Sequence, residues 1–366
     1  MSLDFEYNGD RVQRWEIPRL NRYRFGRLTV AIDGIYTLAN DVVYDQVVAL
    51  INSIEVHLGT EIPICIIPYD DRLDRVRQEI ARRPHVFVLD APERIERWQD
   101  FVSQVWKLHP TAMETWEKRR GTPGVDRLGA HNRLCAFDTE SPFERFIYLD
   151  ADMLVFDNFD KVIPYLDRYD FIAYDFQRSN PENIYDLKSP RLNSLFESDS
   201  DMRSQVFCSG FFASKRGIIG PEQRQKILDN LASGDAEVLF PGSVDQSILN
   251  YSVAKLKISY CNLSWELPNE EKTGNSAHSP HFQNRDNVLY DRGKRLTFLH
   301  YIGVSSKYFN RACAGENIDF PYRDLFLHYR YLHEPEKRPK FTSPPQYYKQ
   351  PPTFLDKVLK KLKLKT

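Results

Sequence analysis

Short unbroken apolar runs alternate with longer amphipathic ones over the first half of the chain. Residues 28–33 (LTVAID), 62–68 (IPICIIP), 85–89 (HVFVL) and 146–149 (FIYL) lack polar interruption. That pattern predicts strands covered on both faces. Between them the period changes. From about Asn40, the residues Val43, Val47, Ile51, Ile54 and Leu58 fall on one helical face, with Asn40 or Asp41 as cap and Gly59 as stop. Leu73, Val76 and Ile80 predict a second helix over 71–82, and Ile95, Trp98, Val102 and Val105 a third. Strand alternating with helix predicts an α/β fold with a mostly parallel sheet and right-handed crossovers.

The second half is less regular. Residues 127–138 read as a helix carrying Arg133 toward the sheet, 169–176 as a strand, and the polar stretch 177–203 as a long loop beside the strand ends. Residues 206–214 read as a strand broken at Ser209-Gly210, where glycine allows close approach of backbone to a ligand. Helices are expected over 223–231 and from about Val244, which places Asp245 and Gln246 in a first turn. Late strands at 256–261 and 296–301 flank a polar excursion, 269–292. Six prolines within 335–352 exclude a helix or central strand and read as a linker. The expected division is an amino-terminal extension (1–27), one large α/β domain (28–334), the linker (335–352) and a basic amphipathic tail (353–366).

Composition narrows the function only by exclusion. With 50 basic and 51 acidic residues, net charge is -1, and nothing global argues for nucleic acid as a partner. Five widely spaced cysteines without a Cys-x-x-Cys pair read as reduced packing residues. The amino terminus lacks the apolar core of a signal peptide, and no run has the length of a membrane span, so a cytoplasmic protein is expected. In the tail, Phe354, Leu355, Val358, Leu359 and Leu362 share one helical arc, with Lys357, Lys360, Lys361 and Lys363 on the rest. Two readings stay open for it: peripheral contact with an anionic inner membrane face, or docking on the protein's own core.

The chemistry starts where the run 146–149 ends, in Asp150-Ala151-Asp152. Ligands of open α/β sheets sit beyond the carboxyl ends of the strands. Two carboxylates there supply hard oxygens suited to Mn2+ or Mg2+, whose other ligands commonly come from phosphates. A metal-bound nucleoside diphosphate is the functional reading; a solvated turn is the bland one. His300 follows the apolar run TFL and reads as a third ligand, a core histidine being its alternative. Arg133 has the forked donors that suit a diphosphate.

Four signals follow one another: Asp150-Ala151-Asp152, Cys208-Ser209-Gly210, Asp245-Gln246, and His300 with Gly303 and Lys307. Together they resemble the retaining GT-A glycosyltransferases of family 8, the group of glycogenin, galactinol synthase and bacterial lipopolysaccharide glucosyl- and galactosyltransferases, over about residues 28–307. The resemblance implies a GT-A (Rossmann-like) sheet and a UDP-sugar donor bound with Mn2+ or Mg2+ by Asp150, Asp152 and His300. It implies uracil and ribose near Asp33 and Tyr36, phosphate contact from Lys307 beside Gly303, and the donor sugar near Cys208, Ser209 and Gly210, with Asp175 as a further contact. Asp245, as nucleophile or electrostatic support, and Gln246, for orientation, would be catalytic. Two departures stand out: Cys208 replaces the family's Asn, and Lys307 is displaced by one position. A hexose would pass to an acceptor hydroxyl, on a glycan, a lipid-linked sugar or a protein, with retention of configuration. The competing readings are a sugar nucleotidyltransferase, which lacks its glycine-rich loop here, and a non-catalytic GT-A-like binding protein.

Overall fold

The structure, a computed structural model, describes residues 32–121, 124–176 and 180–348. The extension 1–27 and the tail 353–366 lie outside the described residues, as does most of the predicted strand 28–33. The first strand, β1, is Gly34–Ala39, six residues later than the pattern predicts. Residues 28–39 are apolar almost throughout, so hydrophobicity alone does not set where pairing begins. Partners do: Ile35 pairs with Ile64, and Tyr36 with both Cys65 and Tyr148. Gly34 opens the strand beneath the Phe143 ring, where an added Cβ would lie only 2.3 Å from Phe143 Cζ.

The remaining strands of the main sheet are β2 (Ile64–Pro68), β3 (Val86–Val88), β4 (Arg145–Leu149), β6 (Phe171–Ala173), β7 (Phe211–Lys215) and β8 (Tyr260–Asn262), with β5 (Met153–Val155) lying off its edge. Their order is β3-β2-β1-β4-β7-β6-β8. The sheet is mainly parallel, as expected; β7 alone runs antiparallel, to both β4 and β6. Helices cover both faces. Ile35, Ile147 and Leu149 point to one core with Ile51 and Ile54 of the helix Tyr44–Leu58, while Tyr36, Phe146, Tyr148 and Phe212 point to the other with Trp98 and Trp106 of the helix Pro92–Leu108. Alternation along a strand buried on both sides sends successive side chains into different cores.

Several elements depart from the expected pattern. The segment around Arg133 is a 3-10 helix of 10 residues, Leu128–Phe137, rather than an α-helix. A helix at Ala112–Arg120 has, among its described side chains, Ala112 and Trp116 buried, too sparse an apolar face to announce itself. The loop after β6 contains helical segments at Leu192–Leu195 and Asp199–Gln205. The polar excursion folds into an antiparallel sheet of β9 (Gln283–Arg285), β10 (Val288–Asp291) and β11 (Lys294–Arg295), turned by Asp286 and Asn287 at φ of 50° and 63°. Both residues tolerate that left-handed conformation, which is a hairpin signal.

β12 (Phe298–His300) pairs with β5 and leads into a third core under the helices Ser306–Cys313 and Arg323–Arg330. There, β13 (Ile318–Asp319) pairs with β14 (Gln346–Tyr347), and Phe341 and Tyr348 pack on the same core. Through residue 348 the proline-rich stretch is therefore held on the domain. All five cysteines are free. Among the described residues, no helix is long and apolar enough to cross a membrane.

Candidate functional site

The strand order β2-β1-β4-β7 reverses direction of winding between β1 and β4, and the crevice beyond the carboxyl ends at such a point is where ligands of α/β sheets bind. Asp150 follows β4 directly, and its backbone N–H donates to Gly210 O at 2.8 Å. Because β7 is antiparallel to β4, residues preceding β7 arrive at the same edge, which brings Cys208, Ser209 and Gly210 beside Asp150. The antiparallel pair β5–β12 aligns His300 with Met153, so the imidazole falls next to Asp152. Asn250 fastens the fourth element: its side chain pairs with both Phe207 N and Phe207 O at 2.9 Å, which docks the helix Val244–Lys255 with Asp245 and Gln246 in its first turn against this edge.

The result is a compact polar centre. Ligand atoms of Asp150, Asp152 and His300 all lie within 4.8 Å of one another, with His300 Nε2 3.3 Å from Asp152 Oδ1. Gly210 makes room for them. A Cβ at that position would sit 2.5 Å from His300 Cε1 and 3.0 Å from Asp150 Oδ2. Two carboxylates and an imidazole converging on such a cradle fit Mn2+ or Mg2+, which prefer oxygen and accept nitrogen donors. Electrostatics agree with that fit. Burial raises the Asp150 pKa; Arg133 and His300 work against this and Asp152 adds to it, as expected of two carboxylates held close together. Burial alone would depress His300, yet Asp152 and the Cys208 thiol, its hydrogen-bond partners, hold its pKa well above the usual histidine range.

Behind the acids lies Arg133, 7% exposed. Its Nη1 is 3.1 Å from Asp150 Oδ1 and donates to Ser209 O and Ser209 Oγ, while its Nε is 3.2 Å from Asp245 Oδ2. Ser209 Oγ in turn donates to Asp245 Oδ2 at 2.9 Å, and Ser209 N donates to Gln246 Oε1. Arg133 thus joins the candidate metal site to the candidate catalytic carboxylate.

No family profile matches the chain, and no curated protein matches it in sequence. Solved structures do resemble its fold. The WbbM bifunctional glycosyltransferase matches over 86% of this chain and 53% of its own, at 14% identity and a TM-score of 0.48. The chain thus spans about half of that protein. The galactosyltransferase LgtC, solved with donor and acceptor sugar analogs, matches over 86% and 98% at 15% identity and a TM-score of 0.47. Mouse xyloside xylosyltransferase 1 matches over 63% and 84% at 10% identity and a TM-score of 0.41. Values this low say nothing of what the present chain binds.

Not every residue expected at the site is found there. Tyr36 is fully buried inside β1, its ring 4.8 Å from that of Phe143 and 5.1 Å from that of Phe146, so no face is left to stack on a base. Asp33 lies at the wrong end of the sheet, accepting hydrogen bonds from Glu144 N and Arg145 N beside the start of β4. Five residues of strand separate Arg145 from Asp150, about 16 Å. Both errors follow from placing β1 six residues early. Nε and Nη1 of Arg133 are taken up by protein, so its expected forked grip on a diphosphate is replaced by an internal clamp. Lys307 is exposed at the start of the helix Ser306–Cys313, its ammonium 4.8 Å from the centre of the Tyr308 ring, and Gly303 is an exposed turn residue at φ 76°. Ala151 is buried between the acids. Asp175, 7% exposed just beyond β6, accepts from Cys208 N at 2.8 Å and sits at the expected edge.

The sequence reading also missed residues. Tyr148, a residue of the predicted buried strand 146–149, donates from its hydroxyl to Asp150 Oδ1 at 2.9 Å. Asn40, read as a helix cap, does cap Val42 N, but its Nδ2 also donates to Asp70 at 2.9 Å across the carboxyl ends of β1 and β2. The signal available was positional: with β1 correctly placed, Asn40 is the first residue past its end.

Proposed function

We propose that the protein is a metal-dependent GT-A glycosyltransferase that moves a hexose from a UDP-sugar to an acceptor hydroxyl with retention of configuration. The observation that carries this reading is the convergence of Asp150, Asp152 and His300 on the Gly210 cradle, with Asp245 tied to the same centre through Arg133. These three residues would hold Mn2+ or Mg2+, which when bound supplies Lewis-acid stabilisation to a departing diphosphate. The rest of the chemistry belongs to the side chains. Asp245 is aimed by the Arg133 guanidinium and the Ser209 hydroxyl, as nucleophile or as support for a positive anomeric centre. Gln246 orients the Ser209 backbone that separates the two acids. Cys208 stands beside His300 where the donor sugar would lie, and shapes donor choice by offering a weak hydrogen-bonding group. The nucleoside would lie over the ends of β1 and β2, near Asn40 and Asp70, rather than at Asp33 and Tyr36.

The test is a screen of nucleotide sugars for Mn2+-dependent hydrolysis. Turnover of a UDP-hexose that stops with EDTA and in Asp152→Asn is expected. Binding of no nucleotide sugar by the metal-loaded protein would overturn the reading.

A further inference from the structure

Near this centre the excursion between β8 and β12 lines an open cavity of about 630 Å³, bordered among others by Phe176, Lys272, Asn275, Asp291, Arg292 and Lys294. One lining residue, Asn275, connects it to the centre. Asn275 O accepts the backbone N–H of His300 at 2.7 Å, and Asn275 Nδ2 donates to Tyr174 O, one residue before Asp175. Asn275 thus ties the cavity lining to the backbone of a candidate metal ligand and to the end of β6. Ligand cavities usually measure about 300–1,000 Å³, so the space suits a short sugar chain. The exposed Phe176 ring supplies an apolar surface on its wall.

The charge of this wall is one-sided. Among the described residues that line it, three cations, Lys272, Arg292 and Lys294, stand with one carboxylate, Asp291. That carboxylate is already occupied: one oxygen accepts from Gly274 N at 2.8 Å and the other lies 3.1 Å from His281 Nε2. Among the described residues the two ammonium groups donate to backbone carbonyls, Lys272 to that of Trp265 and Lys294 to those of Asn269 and Lys272, so no carboxylate cancels their charge there. Arg292 lies on the turn between β10 and β11, its side chain 84% exposed and 4.0 Å from Asp291. Clustered like charge in a concave wall raises the local concentration of counter-charged ligands.

We infer that this cavity receives the acceptor, and that the acceptor is an acidic glycan, a sugar chain bearing carboxylate or phosphate groups. The first half of that inference rests on the transferase reading; the second rests on the cavity alone. The experiment uses the full chain loaded with Mn2+ and compares binding of trigalacturonate with its neutral methyl ester, and of maltose 1-phosphate with maltose, by calorimetry. At low salt the acidic member of at least one pair is expected to bind at least about fivefold tighter, with the difference fading in about 0.5 M salt, where exposed charges are screened. The carboxylate and phosphate pairs tell which group is read. Arg292→Glu, at an exposed turn, and Lys272→Glu with Arg292→Glu should abolish the preference. Equal binding within both pairs, binding of none of the four sugars, or a preference that survives the double charge reversal each overturn the inference. Nucleotide-sugar hydrolysis is measured on the same preparations without acceptor. Its absence counts against the transferase reading only, because the affinity ratios are read independently of turnover.

Discussion

Gly210→Ala is the sharpest probe of the metal reading, because it perturbs the site by one methyl group and substitutes none of the ligand residues. The added Cβ would sit 2.5 Å from His300 Cε1, and ordinary contact begins at 3.4 Å, so the ring must retreat by about 0.9 Å. Asp150 Oδ2, at 3.0 Å, must give as well. Metal–ligand distances tolerate only about 0.2 Å of error, so a displacement of this size should cost at least about 10–100-fold in Mn2+ affinity. The fold should suffer much less. Overpacking by one methyl typically costs about 1–3 kcal/mol, and both neighbours are side-chain ends rather than backbone. Free Mn2+ is measured by electron paramagnetic resonance during titration, alongside thermal melts of the metal-free protein. The expected result is weakened Mn2+ binding with a melting temperature lowered by a few degrees. Wild-type affinity in a stably folded Gly210→Ala protein would refute the claim that these residues form the metal site.

Other outcomes follow from the same geometry. Arg133→Met leaves Asp150 and Asp245 without their shared counter-charge and should destabilise the fold by about 3–5 kcal/mol in urea melts, whereas Arg133→Lys should cost less because one charge remains. Protonated His300 and a bound metal exclude each other, and its folded pKa is raised. The stability contributed by the charged imidazole is therefore complete below the ordinary histidine pKa and lost as pH rises through the folded value, while Mn2+ affinity rises over that same interval. Melts with and without Mn2+ across the neutral to alkaline range should show these opposite slopes, and His300→Ala should flatten both. At the far end of the sheet, burial opposes the charge of Glu55, but His85 and Arg83 pull its pKa down to about 2. Glu55→Gln should thus destabilise at neutral pH, and the difference from wild type should shrink as pH falls from the usual carboxylate range toward about 2. Tyr36→Phe should leave UDP binding unchanged, since that hydroxyl is buried and bonds within the core, to Phe143 N at 3.4 Å and to the Ser141 side chain, while Asn40→Ala should weaken it; equilibrium binding of UDP with Mn2+ decides between the two positions.

What could be read from the sequence was what depends on local pattern. Residues 146–149 make a strand wherever they pair, so the acids after them had to fall at a strand end. The Asp245-Gln246 helix start was equally local, because the turn before it and the apolar spacing after it lie within a few residues. What could not be read was register. Residues 28–39 offer two overlapping apolar stretches, and only the pairing with β2 and β4, set by residues far along the chain, selects the second. That choice moves Asp33 and Tyr36 out of the crevice and Asn40 into it. The direction of β7 is another long-range decision: Gly210 matters because an antiparallel strand delivers its leading residues to the edge where parallel neighbours deliver their trailing ones. Arg133 shows the same limit at the level of charge. A lone arginine near a predicted phosphate site invites the external anion as its partner, but Asp150 and Asp245, one brought by a strand and the other by a helix, reach it from within the fold. Positive charge for a phosphate would then have to come from elsewhere, and a divalent ion on Asp150, Asp152 and His300 answers that need without freeing the arginine.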